Sequence, residues 1–295
     1  MVAKTPLTMY RMHFRHLASL LVALFITVMF TQAQEIKGLY NSSETRDSLV
    51  ILADTAYVRS KPSTSGEKMA ALEAGRKVWP VQEEESQRIS GFDAPWVRVK
   101  FVNSGGVISE GYIWKGLTAF GSYLRNDVRF LYGLDHGLAG ADKGDFRHYF
   151  AKVRVLDLQG KPLATKIWQL NSSEATSFTE GKVFGAMGLD SIIAIARFYF
   201  TGEACAIPDD YYYFGWNGTE LLSLPGKTDI SDAGVFYHGE QLLFPSEKGG
   251  SPGKIIKLLE DEEVLDEVDK KGEPLTKKTK LKEVYSWDGR KAVKL

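Results

Sequence analysis

The sequence predicts an all-β protein in two parts: a small barrel over residues 48–120, then an irregular antiparallel β domain over 121–295. Three observations carry this reading. Apolar and polar residues alternate, as in Val97-Arg98-Val99-Lys100, with the two-residue period of a half-buried strand. Pro and Ser/Thr clusters stop such runs, because proline cannot donate to a sheet ladder and these residues favour turns. After Phe120, aromatic-rich runs recur between glycine-containing turns.

In chain order, the first element is a leader. Lys4, Arg11 and Arg15 precede an apolar run from Leu17 to Phe30, with no acidic residue among them, in the outline of a secretory signal peptide. Thr31-Gln32-Ala33 supplies small residues at the two positions a signal peptidase reads, so residues 1–33 are expected to be removed, leaving Gln34 as the N-terminus and 34–47 as a linker. A retained anchor is the alternative, but the run is shorter than the roughly 18 to 20 apolar residues that span a bilayer. The next apolar window, Ser191 to Phe200, is also short, so no transmembrane segment is expected after cleavage. The expected location is the periplasm or the cell surface. The one cysteine, Cys205, excludes an internal disulfide and lies too far from the leader for lipid attachment.

The barrel elements follow. Ala56-Tyr57-Val58-Arg59-Ser60-Lys61-Pro62-Ser63-Thr64-Ser65 is a strand running into a turn. Next come Leu72-Glu73-Ala74-Gly75-Arg76-Lys77-Val78, Pro95-Trp96-Val97-Arg98-Val99, and Glu110-Gly111-Tyr112-Ile113-Trp114, with a lengthened hairpin from Val102 to Ser109 around Gly105-Gly106. Gly75 and Gly111 mark tight turns or close backbone approaches at barrel corners. These segments resemble the bacterial SH3 (SH3b) family, whose pattern runs Val-Arg-Ser-x-Pro-Ser, Leu-x-x-Gly-x-x-Val, Trp-x-x-Val and Gly-aromatic-hydrophobic. Lys61 stands where that family usually has Gly, and Tyr112 where it usually has Trp. The resemblance covers about a quarter of the chain and implies an SH3-like barrel that binds cell-wall peptide or another envelope component. A barrel this small fills its interior with side chains, so a ligand must use an external groove. Tyr57, Arg59, Trp96, Tyr112 and Trp114 are the candidate ligand-binding residues, with Arg59 available to pair with a peptide carboxylate. The competing reading places Trp96 and Trp114 in the core.

In the second part, Tyr211-Tyr212-Tyr213-Phe214-Gly215-Trp216-Asn217-Gly218 predicts a hairpin with a two-residue Asn-Gly turn. Glu283-Val284-Tyr285-Ser286-Trp287-Asp288-Gly289 repeats its order, and Phe236-Tyr237-His238-Gly239 is a degenerate copy. Lys152 to Leu163 is a further hairpin candidate. Uneven spacing favours an irregular sheet over the alternative, a partial propeller. Ile255 to Val268 is read either as a short helix or as a charged hairpin.

Positive and negative charges balance over the full sequence, with 37 of each. Loss of the leader makes the chain slightly acidic. The densest basic run, Lys277 to Lys282, is matched by Glu260-Asp261-Glu262-Glu263, so the two are expected to pair or to lie on solvated strand faces, and nucleic acid is excluded as the expected partner. Cys205 has apolar neighbours and is expected to be a buried structural thiol. Asp135, His136, Asp142, Asp145 and His148 could hold zinc, but Gly133, Gly137, Gly140 and Gly144 point to a loop instead. Asp209-Asp210 is read as a turn rather than a carboxylate pair, and the tyrosine run as half core and half wet. No catalytic residue, metal or cofactor is assigned. The expected role is non-enzymatic envelope binding; an envelope hydrolase with an unrecognised catalytic half and a structural adaptor are the alternatives.

Overall fold

The computed structural model describes residues 37–40, 47–139 and 148–295. The expected leader and its cleavage site, most of the linker, and Asp142 and Asp145 lie outside them. The fold is all-β, built from three antiparallel sheets with single helical turns at Lys37–Tyr40 and Lys115–Leu117. Among the described residues no helix is long and apolar enough to cross a membrane.

The first sheet contains β1 (Leu49–Val50), β2 (Thr55–Arg59), β3 (Lys68–Glu73), β4 (Lys77–Ile89), β5 (Phe92–Val102) and β6 (Ile108–Trp114), in the order β1-β4-β5-β6-β2-β3. All six strands send side chains into one cluster, among them Leu49, Val58, Leu72, Val78, Val97, Val99 and Ile113, to which, among the described residues, no other sheet contributes. A sheet that buries a face against itself must curl, and this one forms a half-barrel. Each of the two predicted glycines has a physical cause, a turn at Gly75 and a close strand approach at Gly111 inside β6. Gly75 takes φ +81° in the turn between β3 and β4. At Gly111 a Cβ would come within 2.5 Å of Val58 Cγ1, so glycine lets β6 and β2 approach.

The second sheet, β7 (Gly121–Arg125), β8 (Val128–Leu138), β9 (His148–Asp157) and β10 (Pro162–Gln169), has the order β10-β9-β8-β7. Both of its faces are covered. Phe130, Tyr132, Val153 and Val155 enter the main core, while Leu131 and Leu156 pack against Val50, Leu52, Ala74 and Ala119 of the half-barrel.

The third sheet is a single meander of eight strands rather than a set of separate blades: β11 (Phe178–Phe184), β12 (Ala194–Thr201), β13 (Asp209–Trp216), β14 (Leu221–Asp232), β15 (Phe236–Leu243), β16 (Lys254–Val268), β17 (Pro274–Trp287) and β18 (Ala292–Lys294). Phe198, Phe200, Phe214 and Trp216 join the main core, which also takes Phe92, Trp96 and Trp114 from the first sheet and so is shared by all three.

Several expectations change at this level. Ile255 to Val268 is a strand, because it pairs along its length with β17 and sets Glu260 opposite Lys280 and Glu262 opposite Lys278. The helix reading fails, and the segment is not itself a hairpin but one arm of a charged hairpin whose other arm is β17. The Asn217-Gly218 turn is not a two-residue type: Trp216 pairs with Leu221, leaving a loop of four residues that the Asn217 side chain closes by accepting the amides of Thr219 (2.9 Å) and Glu220 (2.8 Å). Asp288 does the same for Arg290 and Lys291, so the two Trp-Asx-Gly turns are alike in structure. Gly239 marks no turn; it lies inside β15, which pairs with β16 from Phe236 to Leu243. Asp209 and Asp210 begin β13 rather than forming a turn, because both pair into β14.

Candidate functional site

Strand alternation assembles one face on the outside of the half-barrel. With Val58, Ile113, Val97 and Val99 pointing inward, register places Arg59 opposite Tyr112 and Tyr112 opposite Arg98, so the three side chains share the outer face. Tyr57, two residues from Arg59, continues the row and is exposed. Lys68 Nζ stands 3.8 Å from the centre of the Tyr57 ring, at cation–π distance. Arg59 Nη1 donates to Gly66 O at 2.7 Å, tying it to the loop that follows β2. Arg98 Nη2 lies 3.4 Å from Gln82 Oε1, and its buried Nε has no acceptor.

Trp96 and Trp114 pair with each other on the same outer face, at the end where the rest of the chain covers it. Their exposures of 3% and 2% put them beyond the reach of a surface ligand. Trp96 Nε1 donates to Gln87 Oε1 at 2.8 Å and Trp114 Nε1 to Ala94 O at 2.9 Å, so neither polar tip is stranded. Phe92 packs on Trp114 with ring centres 4.8 Å apart. The five predicted residues therefore lie on one face, with Tyr57, Arg59 and Tyr112 at its accessible end and the two tryptophans at its buried end. Sequence reasoning left out Lys68 and Arg98. Arg98 was signalled by the alternation of Val97 to Lys100, whereas Lys68 had no signal, because only the pairing of β2 with β3 brings it to Tyr57.

Elsewhere, Cys205 is exposed, which overturns the buried-thiol expectation. It sits in a turn between Glu203 and Ala206, both at positive φ (54° and 58°), and is exposed despite its apolar neighbours. Asp135 and His136 lie in β8 rather than in a loop, with His136 Nδ1 2.7 Å from Asp135 Oδ2 and its ring stacked on Phe150. Asp210 is buried, and that burial raises its carboxyl above the ordinary value, even though Oδ1 accepts from Thr228 Oγ1 (2.7 Å) and Asn171 Nδ2 (3.1 Å). His238 Nδ1 meets Asp261 Oδ1 at 2.6 Å, and Lys257 donates to Glu240 at 2.8 Å, forming a polar strip across β15 and β16. Among the described residues no group of three His, Cys, Asp or Glu side chains could hold a metal ion.

Comparison with protein-family models, curated proteins and solved structures returns no match.

Proposed function

We propose that this chain is an exported envelope-binding protein whose first sheet is an SH3b-like module recognising cell-wall peptide or another envelope component. The observation that carries the reading is the outer-face row of Tyr57, Arg59, Tyr112 and Arg98, flanked by Lys68. Aromatic rings give a shallow surface contact area at low entropic cost, and the guanidinium groups match a carboxylate in geometry and charge. Trp96 and Trp114 anchor the buried end of the same face. The second and third sheets brace the module and present a separate surface of their own.

The test substitutes Tyr57→Ala, Arg59→Ala and Tyr112→Ala singly, confirms folding by circular dichroism, and measures binding of soluble cell-wall fragments. The reading predicts at least about a tenfold loss in the Arg59 variant, the scale of one charge-assisted contact of about 1.4 kcal/mol. Three variants that bind as the parent does would overturn it.

A further inference from the structure

The joint between the half-barrel and the second sheet carries a charge arrangement that the outer-face site does not use. On the face of the second sheet turned toward the half-barrel, register sets Arg129 opposite Leu156, Leu131 opposite Arg154 and Gly133 opposite Lys152. This makes a row of three cations. Lys152 is ion-paired with Asp135. Arg154 is different: the residue is 2% exposed, and its Nε has no hydrogen-bond acceptor among the described residues. Among the described residues its ion-pair partner is Asp54, whose Oδ1 lies 2.6 Å from Arg154 Nη1, a contact that holds the Asp54 carboxyl below its ordinary value, and whose side chain is 84% exposed. Burying a guanidinium costs several kcal/mol unless its donors are met, and an acid that stands almost wholly in solvent meets few of them.

Arg154 and Asp54 line a cleft of about 590 Å³, together with Arg76, Arg129 and Lys161. A second cleft of about 360 Å³ adjoins it across Asp54 and holds Asp135 and Lys152. The carboxylates of the larger cleft are Asp54, Glu73 and Asp157, and Asp157 already accepts the amides of Gln159 and Lys161.

We propose that this cleft is a binding site for a carboxylate-bearing ligand, with Arg154 as the buried donor at its floor and Asp54 as an internal placeholder that the ligand's carboxylate displaces. Asp54 indicates the ligand class, since the group now held against Arg154 is itself a carboxylate. Its exposed position between β1 and β2 lets it swing out, exchanging one carboxylate for another without leaving a buried charge alone. The site uses none of Tyr57, Arg59, Tyr112 and Arg98 and does not depend on the function proposed for that row.

The test titrates the full chain with acetate, with N-acetyl-alanyl-alanine and with the amide of that dipeptide, following backbone amide NMR shifts around residues 54 and 154. Asp54→Asn removes the placeholder and should tighten acetate binding roughly tenfold, about 1.4 kcal/mol. Glu73→Gln removes a charge from the same cleft without touching Arg154 and should change affinity far less. Arg154→Gln should abolish binding, and if it fails to fold, the Asp54 and Glu73 pair still decides. Tighter binding of the dipeptide than of acetate marks a peptide C-terminus as the ligand, and equal binding marks a free organic acid. The proposal is overturned if Asp54→Asn gains no more than Glu73→Gln, if a folded Arg154→Gln variant binds as the parent does, or if the amide binds as well as the acid.

Discussion

Asp210 shows how a single residue can carry a readable electrostatic cost. Because burial raises its carboxyl above the ordinary value, the folded chain binds more protons than the unfolded chain between that ordinary value and the raised one. Stability therefore falls as pH climbs through this window. Asp210→Asn keeps an oxygen to accept from Thr228 and Asn171 while removing the charge, so urea midpoints should lose that part of their pH slope, and at neutral pH the variant should equal or exceed the parent. A variant clearly weaker than the parent at neutral pH would contradict this. Cys205 gives the opposite expectation: as an exposed residue in a turn, Cys205→Ala should change stability by no more than about 0.5 kcal/mol, checked by thermal melting. Neither environment was legible in the sequence. Asp209-Asp210 reads as polar, and Ala204-Cys205-Ala206-Ile207 reads as apolar. Burial in each case is set by what the strand packs against, and the chain's local pattern does not record that.

At the scale of elements, the sequence was most informative where strands alternate and where turns need particular residues. The alternation of Val97 to Lys100 and the need for glycine at the Gly75 turn and at the Gly111 close approach could be read from sterics. The acidic and basic runs were legible only as far as two alternatives, mutual pairing or solvated strand faces, and β16 and β17 pair through them. The turn type at Asn217-Gly218 could not be read, since a two-residue and a four-residue loop use the same dipeptide and the register of the flanking strands decides between them. Asn217→Ala should cost about 1 kcal/mol in chemical denaturation, because its side-chain oxygen serves two loop amides, and Asn217→Asp should restore most of that loss. A neutral Asn217→Ala would show that strand pairing alone fixes the turn.

Over the whole molecule, the three sheets share one core through Trp96 and Trp114, so the half-barrel is not expected to unfold by itself. Trp114→Ala removes a large buried ring and should cost about 3 to 5 kcal/mol. Calorimetry should show one transition moving to lower temperature; two separating transitions would mean that the sheets do not depend on that joint. The tryptophans' place was only half legible: the sequence put them on the half-barrel, but their burial depends on Tyr40 and Phe92 and on long-range packing that local patterns do not encode. The candidate binding row was legible for the same reason the strands were, with Tyr57, Arg59 and Tyr112 on one side of alternating runs. The direct test of what that row does is co-sedimentation of the full chain with purified, insoluble peptidoglycan. The account predicts saturable retention in the pellet, reduced when Arg59 is replaced by Glu. A chain that stays in the supernatant at every peptidoglycan concentration would contradict it.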